Sequence, residues 1–296
     1  MLVSGGDTAL LSEAARGAGL EFHRWLWVLN RNGDRWAIEN HPEWFTVNRA
    51  GVSTLEEPPY VGYYRWVCPT RRPVREYLAD RIDGIAADER VDGVHLDYIR
   101  YPDVILPRGL WEKYDLVQEE ELPRFDYCYC EVCRSSFEEQ AGRDPLELDD
   151  PPADEAWVRF RWDSVTRLVT ELAETVHAHE KPISAAVFPG PSIARRLVRQ
   201  AWDEWPVDRV FPMLYHTFYE EDLAWIARMV EEGVEALEDP GTSLVAGLYL
   251  PDLPPEQLAE AIRRVWATGA DGFSTFEMNR LTDGHLDRIR RQLRLL

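Results

Sequence analysis

The sequence predicts an α/β fold, a (β/α)8 TIM barrel. Two observations carry this. Short apolar strands alternate with helical stretches, the order of a parallel sheet covered by helices. The length, 296 residues, is ordinary for one such barrel, and no internal repeat of 20 to 50 residues points to a solenoid.

Taken in order, residues 20–30 (LEFHRWLWVLN) read as a strand and 64–67 as a short one. Residues 73–88 read as a helix with Pro73 in its first turn, and 91–98 as a strand. A long helix is expected over 155–180, where Val165, Leu168, Val169, Leu172 and Val176 recur every three to four positions. Strands at 183–188, 207–215, 243–250 and 272–277 alternate with helices at 192–203, 221–237, 255–268 and 283–295. Eight strands need one more. It belongs at or before residues 1–4, which either form it poorly or mark a chain that starts late. One domain over 1–296 is expected, with insertions at 31–63 and 103–154. Both insertions follow strand C-termini, where barrel enzymes place substrate-binding loops.

Composition excludes several classes. Hydrophobic residues make up 45% of the chain, enough for a large core. The net charge of −20 repels phosphates and argues against a nucleic-acid partner, whereas neutral sugars meet no such penalty. No apolar run is long enough for a transmembrane segment. The N-terminus lacks a signal-peptide pattern, so the chain as written reads as cytoplasmic, or as exported if an upstream leader has been removed.

The chemistry is expected in VDGVHLDYIRYP. Side chains alternate along a strand. Val94 and Leu96 suit the helix side, so Gly93, His95 and Asp97 point into the barrel, with Asp97 at the C-terminal, catalytic end. Burial there raises a carboxyl pKa toward that of a general acid, whereas pairing with Arg100 would make Asp97 structural. Glu277 and Asp252, at later strand ends, are the candidate second carboxylates, with an ion pair to Arg280 as the structural alternative for Glu277. Trp25, Trp27, His95, Tyr98, Arg100, Tyr215, His216 and Tyr249 are candidates for contact with substrate; one of the pairs Trp25/Trp27 and Leu26/Val28 faces inward. Two carboxylates about 5–5.5 Å apart imply a retaining glycosidase and about 6.5–9.5 Å an inverting one.

Cys68, Cys128, Cys130 and Cys133 form a second constellation, a lone cysteine followed by C-x-C-x-x-C. Four thiolates suit a structural Zn²⁺. Two disulfides or four unlinked thiols are the alternatives.

VDGVHLDYIRYP resembles the hallmark strand of glycosyl-hydrolase-like family 10, a lineage of bacterial barrel proteins. WVCPTRRPVREYLADRI, PMLYHTFY, VAGLYLPDL and DGFSTFEMN resemble further segments of that lineage in the right order, over about residues 20–276. The resemblance implies a barrel and makes Asp97 the best match to a functional acidic residue. Cys68-Pro69 followed by Cys128, Cys130 and Cys133 is similar to the zinc site of glycoside hydrolase family 42 β-galactosidases. That family carries an Asn-Glu pair at the end of its fourth strand, whereas this chain reads Asp97-Tyr98-Ile99, so the metal site carries over without the β-galactosidase mechanism.

The expected function is therefore glycosidic-bond cleavage in a poly- or oligosaccharide. A non-catalytic carbohydrate-binding barrel is the alternative. A third class, metal-dependent hydrolysis through His95, Asp97 and His216, needs further ligands inside the barrel. His177, His179 and His285 fall on helices or the terminal segment.

Overall fold

The computed structural model describes residues 1–294 except residue 238. Strand β1 (Leu2–Ser4) is followed by α1 (Thr8–Gly17), β2 (Phe22–Trp27), α2 (Arg35–Asn40), α3 (Arg72–Ala86) and β3 (Gly93–Asp97). Then come α4 (Glu131–Ala141), α5 (Glu155–His177), β4 (Ile183–Val187), α6 (Pro191–Val198) and β5 (Arg209–Pro212). The chain continues through α7 (Leu223–Ala236), β6 (Ser243–Tyr249), α8 (Pro255–Trp266), β7 (Gly272–Phe276) and α9 (Asp283–Gln292). The seven strands lie side by side in chain order, every neighbouring pair parallel. No helix among the described residues is long and apolar enough to cross a membrane.

The sheet curls into a barrel-like form. His95 on β3 packs edge-on against Phe211 on β5, ring centroids 5.1 Å apart. At the opposite end, Arg209 reaches Glu21, which precedes β2, at 3.3 Å. Val94, Leu96, Ala185, Leu244, Ala246 and Leu248 face the helices and are fully buried there. Against them pack Leu78 and Ile82 of α3, Leu168 and Leu172 of α5, and Ile262 and Val265 of α8, the stripes that helical spacing requires. Side-chain caps fix several helix starts: Asp154 accepts from the Trp157 N–H, and Asp222 from the Ala224 and Trp225 N–H groups.

The barrel class holds with three corrections. First, seven strands form rather than eight, and β7 and β1 are not paired with each other among the described residues. The first strand is there, as the short edge β1. Second, residues 64–67 are not a barrel strand. Trp66 and Val67 make isolated antiparallel bridges to Asn30 and Phe45, so this segment ties down the first insertion. Third, the helix expected over 192–203 stops at Val198. Arg199 turns left-handed (φ 56°), and a short 3-10 turn, Trp202–Glu204, follows. Of the closing helix expected over 283–295, residue 295 lies outside the described residues.

One small residue sets the interior spacing between β2 and β3. A Cβ on Gly93 would stand 2.4 Å from the His23 ring. Gly93→Ala is therefore expected to destabilise the protein by about 1–3 kcal/mol through overpacking. His23→Ala in the same chain should restore part of that loss. Urea unfolding of the two single variants and the double variant measures both effects, and additivity would show that the two side chains do not compete for space.

Candidate active site and cysteine cluster

The inner face of β3 carries the polar interior along its length. Gly93 abuts His23, the His95 Nδ1 lies 2.9 Å from the Ser184 Oγ on β4, and Asp97 is the last strand residue. Asp97 is half-buried. Its Oδ2 accepts the Trp25 indole N–H at 3.0 Å and its Oδ1 accepts the Tyr98 backbone N–H at 2.6 Å. Burial nonetheless raises the Asp97 carboxyl above its ordinary value; the Tyr98 N–H, the Arg100 charge and Trp25 hold it back only in part. Trp25 and Trp27 are the pair that faces inward. Asp97 forms no ion pair with Arg100, which binds Asp103 at 3.1 Å instead.

Immediately after Asp97 the chain bends sharply. Tyr98 has φ 50°, a left-handed conformation that a bulky residue adopts at a cost of about 1–3 kcal/mol. The surroundings hold it there. Its ring lies 4.6 Å from that of Trp27 and 5.4 Å from that of Trp66. The buried Arg100 guanidinium sits 5.5 Å from the same ring, 5.0 Å from Trp66 and 4.8 Å from Phe188. Tyr63, from the end of the first insertion and 41% exposed, stands 6.0 Å from Trp27.

A second aromatic group comes from the later strand ends. Tyr215 lies 4.7 Å from Tyr249, and both rings stack on Phe276, which is 45% exposed. Burial raises the Tyr215 hydroxyl pKa, and among the charges that add to this are Asp97 and Glu277. Tyr215 therefore feels both candidate carboxylates. Glu277 follows Phe276 and makes no ion pair with Arg280 among the described residues. Asp252 is tied instead by a hydrogen bond from the Thr217 hydroxyl. His216 is buried beyond Tyr215, near Asp252 and Asp222, and burial lowers its pKa; its Nδ1 has no protein partner.

Sequence reading missed several participants. Trp66, Tyr63 and Phe276 complete the aromatic walls, and Ser184 and Phe211 fix the His95 ring. The aromatic content of residues 31–63 was the one signal for part of this. The hydrogen bond from Trp25 to Asp97 had no local signal.

The four cysteines converge although 60 positions separate Cys68 from Cys128. All four sulfurs lie within 4.8 Å of one another. Cys68 and Cys133 are 3.4 Å apart, Cys130 and Cys68 3.8 Å, and no disulfide forms. A tetrahedral Zn²⁺ with bonds of about 2.3 Å has sulfur–sulfur edges of about 3.8 Å, so the residues fit that ion. Among the described residues this is the one group of three or more His, Cys, Asp or Glu close enough together to share a metal. His95, Asp97 and His216 form no such group.

No family model matches the sequence, and no curated protein does. Solved structures do match in fold. The PgaB (BpsB) glycoside hydrolase domain of Bordetella bronchiseptica superposes with a TM-score of 0.64 at 13% identity, over 96% of this chain and 79% of that one. The β-galactosidase of the psychrophilic Marinomonas ef1 gives 0.65 at 10% identity, over 97% of this chain and 51% of that one. A GH42 β-galactosidase of G. stearothermophilus gives 0.63 at 12%, over 97% and 48%. This chain thus spans about half of each β-galactosidase. At these identities the likeness establishes the glycosidase-type barrel fold.

Burial lowers the His95 pKa to about 3, and the neighbouring His23 adds to the shift. An unfolded histidine takes up its proton near pH 6.5, so below that pH the unfolded state binds more protons and stability falls with pH. The loss should begin near pH 6.5 and continue down to about pH 3. Thermal melts between about pH 7 and 4.5, above the carboxylate range, should show a falling midpoint in the wild type and a flatter slope in His95→Asn. Equal slopes would remove His95 from the account.

Proposed function

We propose that this protein is a glycoside hydrolase acting on an oligo- or polysaccharide, with Asp97 as its proton donor. One observation carries the reading: a carboxyl biased toward its protonated form stands at the catalytic end of a barrel strand, beside walls of aromatic rings. Cleaving a glycosidic bond requires a proton on the leaving oxygen, and a raised carboxyl pKa keeps that proton available. The Trp25 and Tyr98 N–H groups orient the carboxyl and stabilise the carboxylate left after transfer. Trp27, Tyr63, Tyr98, Tyr215, Tyr249 and Phe276 offer flat apolar faces for the C–H faces of sugar rings. Glu277 is the second carboxylate, nucleophile or base, because its charge and that of Asp97 both act on Tyr215 and it is engaged by no ion pair among the described residues. Asp252, bound to Thr217, orients the flank of the site.

Asp97→Asn should lower kcat by about 10²–10⁴-fold on any glycan that the wild type cleaves, with binding retained. The wild type is first screened on a glycan panel, and the variant is then assayed on the substrate found. Undiminished kcat would remove Asp97 from the mechanism. Tight glycan binding by the wild type with no turnover would instead make the protein a carbohydrate-binding barrel.

The four cysteines hold a structural zinc in this reading. The ion would clamp the segment after the first insertion to the second insertion. Zinc held at a concentration a thousandfold above its Kd contributes about 4 kcal/mol to folding stability. Chelation should lower the melting temperature while elemental analysis follows the metal. Protein purified without chelator and free of zinc would exclude the metal.

A further inference from the structure

A zinc ion bound by four thiolates carries a net charge of −2, because four negative sulfurs exceed the ion's two positive charges. Burying such a dianion is expensive unless a cation stands beside it. Three of the sulfurs belong to residues with 0% exposure, Cys68, Cys128 and Cys133; Cys130 keeps 4%. A cavity of about 400 Å³ reaches the cluster at Cys130.

We propose that Arg71 is the charge partner of this metal centre and guards the cavity that reaches it. Arg71 lines the same cavity as Cys130. Its side chain forms no ion pair with a carboxylate among the described residues, and its Nε is buried without a hydrogen-bond partner. The other two arginines that line the cavity are engaged elsewhere: Arg134 pairs with Asp144, and Arg49 donates to the Leu148 carbonyl at 2.9 Å. The charges that act most strongly on Arg71 are the four cysteines, Cys130 first. Local structure brings it there. The Arg71 N–H donates to the Cys68 carbonyl at 3.3 Å, closing a turn over Pro69 and Thr70. Arg75 holds that turn from outside, donating to the Thr70 carbonyl at 2.8 Å. Two polar groups already serve the sulfurs. The Val47 N–H donates to Cys128 at 3.5 Å, and the Thr70 hydroxyl lies 3.3 Å from Cys133. Neither brings a charge. Arg71 does, in the cavity lined by Cys130, the most exposed of the four cysteines.

This inference rests on the zinc reading above. The test uses the full chain loaded with zinc. Zinc content is measured by elemental analysis, and release to a chromogenic chelator is followed in the wild type, Arg71→Met and Arg71→Lys. Met keeps most of the volume without the charge; Lys keeps the charge. Removing an outer partner of a metal site typically weakens metal binding about 10–100-fold, so Arg71→Met should lose zinc faster by that order, with Arg71→Lys near the wild type. Release from Arg71→Met at the wild-type rate overturns the proposal. So does equally fast release from both variants, because shape and not charge would then govern. If Arg71→Met does not fold, fast release from Arg71→Lys still counts against the proposal and slow release still supports it. A wild type that takes up no zinc excludes the metal itself, which separates that failure from a failure of Arg71.

Discussion

The carboxyl of Asp97 is held between two opposing demands. Burial at the end of β3 favours its protonated form, while the Trp25 and Tyr98 N–H groups favour the charged one. Much of the nearby structure supports this balance. Tyr98, whose N–H binds Oδ1, turns left-handed directly after Asp97, and that conformation is strained. Trp27, Trp66 and the guanidinium of Arg100 pack against its ring and hold the turn in place. Arg100 is itself fixed by Asp103, so the first residues of the second insertion belong to the same assembly.

The cysteine cluster extends this support outward. Trp66 lies two residues before Cys68, so a clamp on Cys68 also limits the motion of a ring that confines Tyr98. A buried ionic network anchors the second insertion from its other side. Asp126 and Glu121 bind Arg161 on α5 and Arg199 after α6, all of them largely out of solvent. Breaking one partner of such a pair leaves a buried charge uncompensated, which resists displacement of the loop. With the zinc proposed above, the second insertion would be pinned both at the cysteines and at the helices.

Much of this was legible in the sequence, for physical reasons that also mark the limit. Strand alternation placed Gly93, His95 and Asp97 on the inner face, and the structure has them there. Cysteine spacing announced a cluster. The bond from Trp25 to Asp97 could not be read, because the register partner of Asp97 is Trp27 and the contact runs diagonally across the stagger of the sheet. Residues 64–67 look like a strand because their apolar and aromatic side chains are buried, but they are buried under the first insertion and not in the sheet. Arg71 carries no motif; only the folded turn after Cys68 brings it to the cavity that Cys130 lines. Glu277 ranks before Asp252 as the second carboxylate in the sequence, and the hydrogen bond from the Thr217 hydroxyl to Asp252 had no sequence signal.

Among the described residues β7 and β1 leave an unpaired seam, and it affects how the site keeps its dimensions. Asp97 stands on a strand laddered on both sides, whereas Glu277 extends from one laddered on a single side. In a closed barrel, strand number and stagger together fix the diameter. Here the span across the mouth depends on how tightly the sheet coils and on how α8, backed by α9, packs against β7. If the proposed hydrolysis uses these two carboxylates, that span decides whether a water molecule fits between them, and curvature rather than ladder geometry would govern the stereochemical outcome.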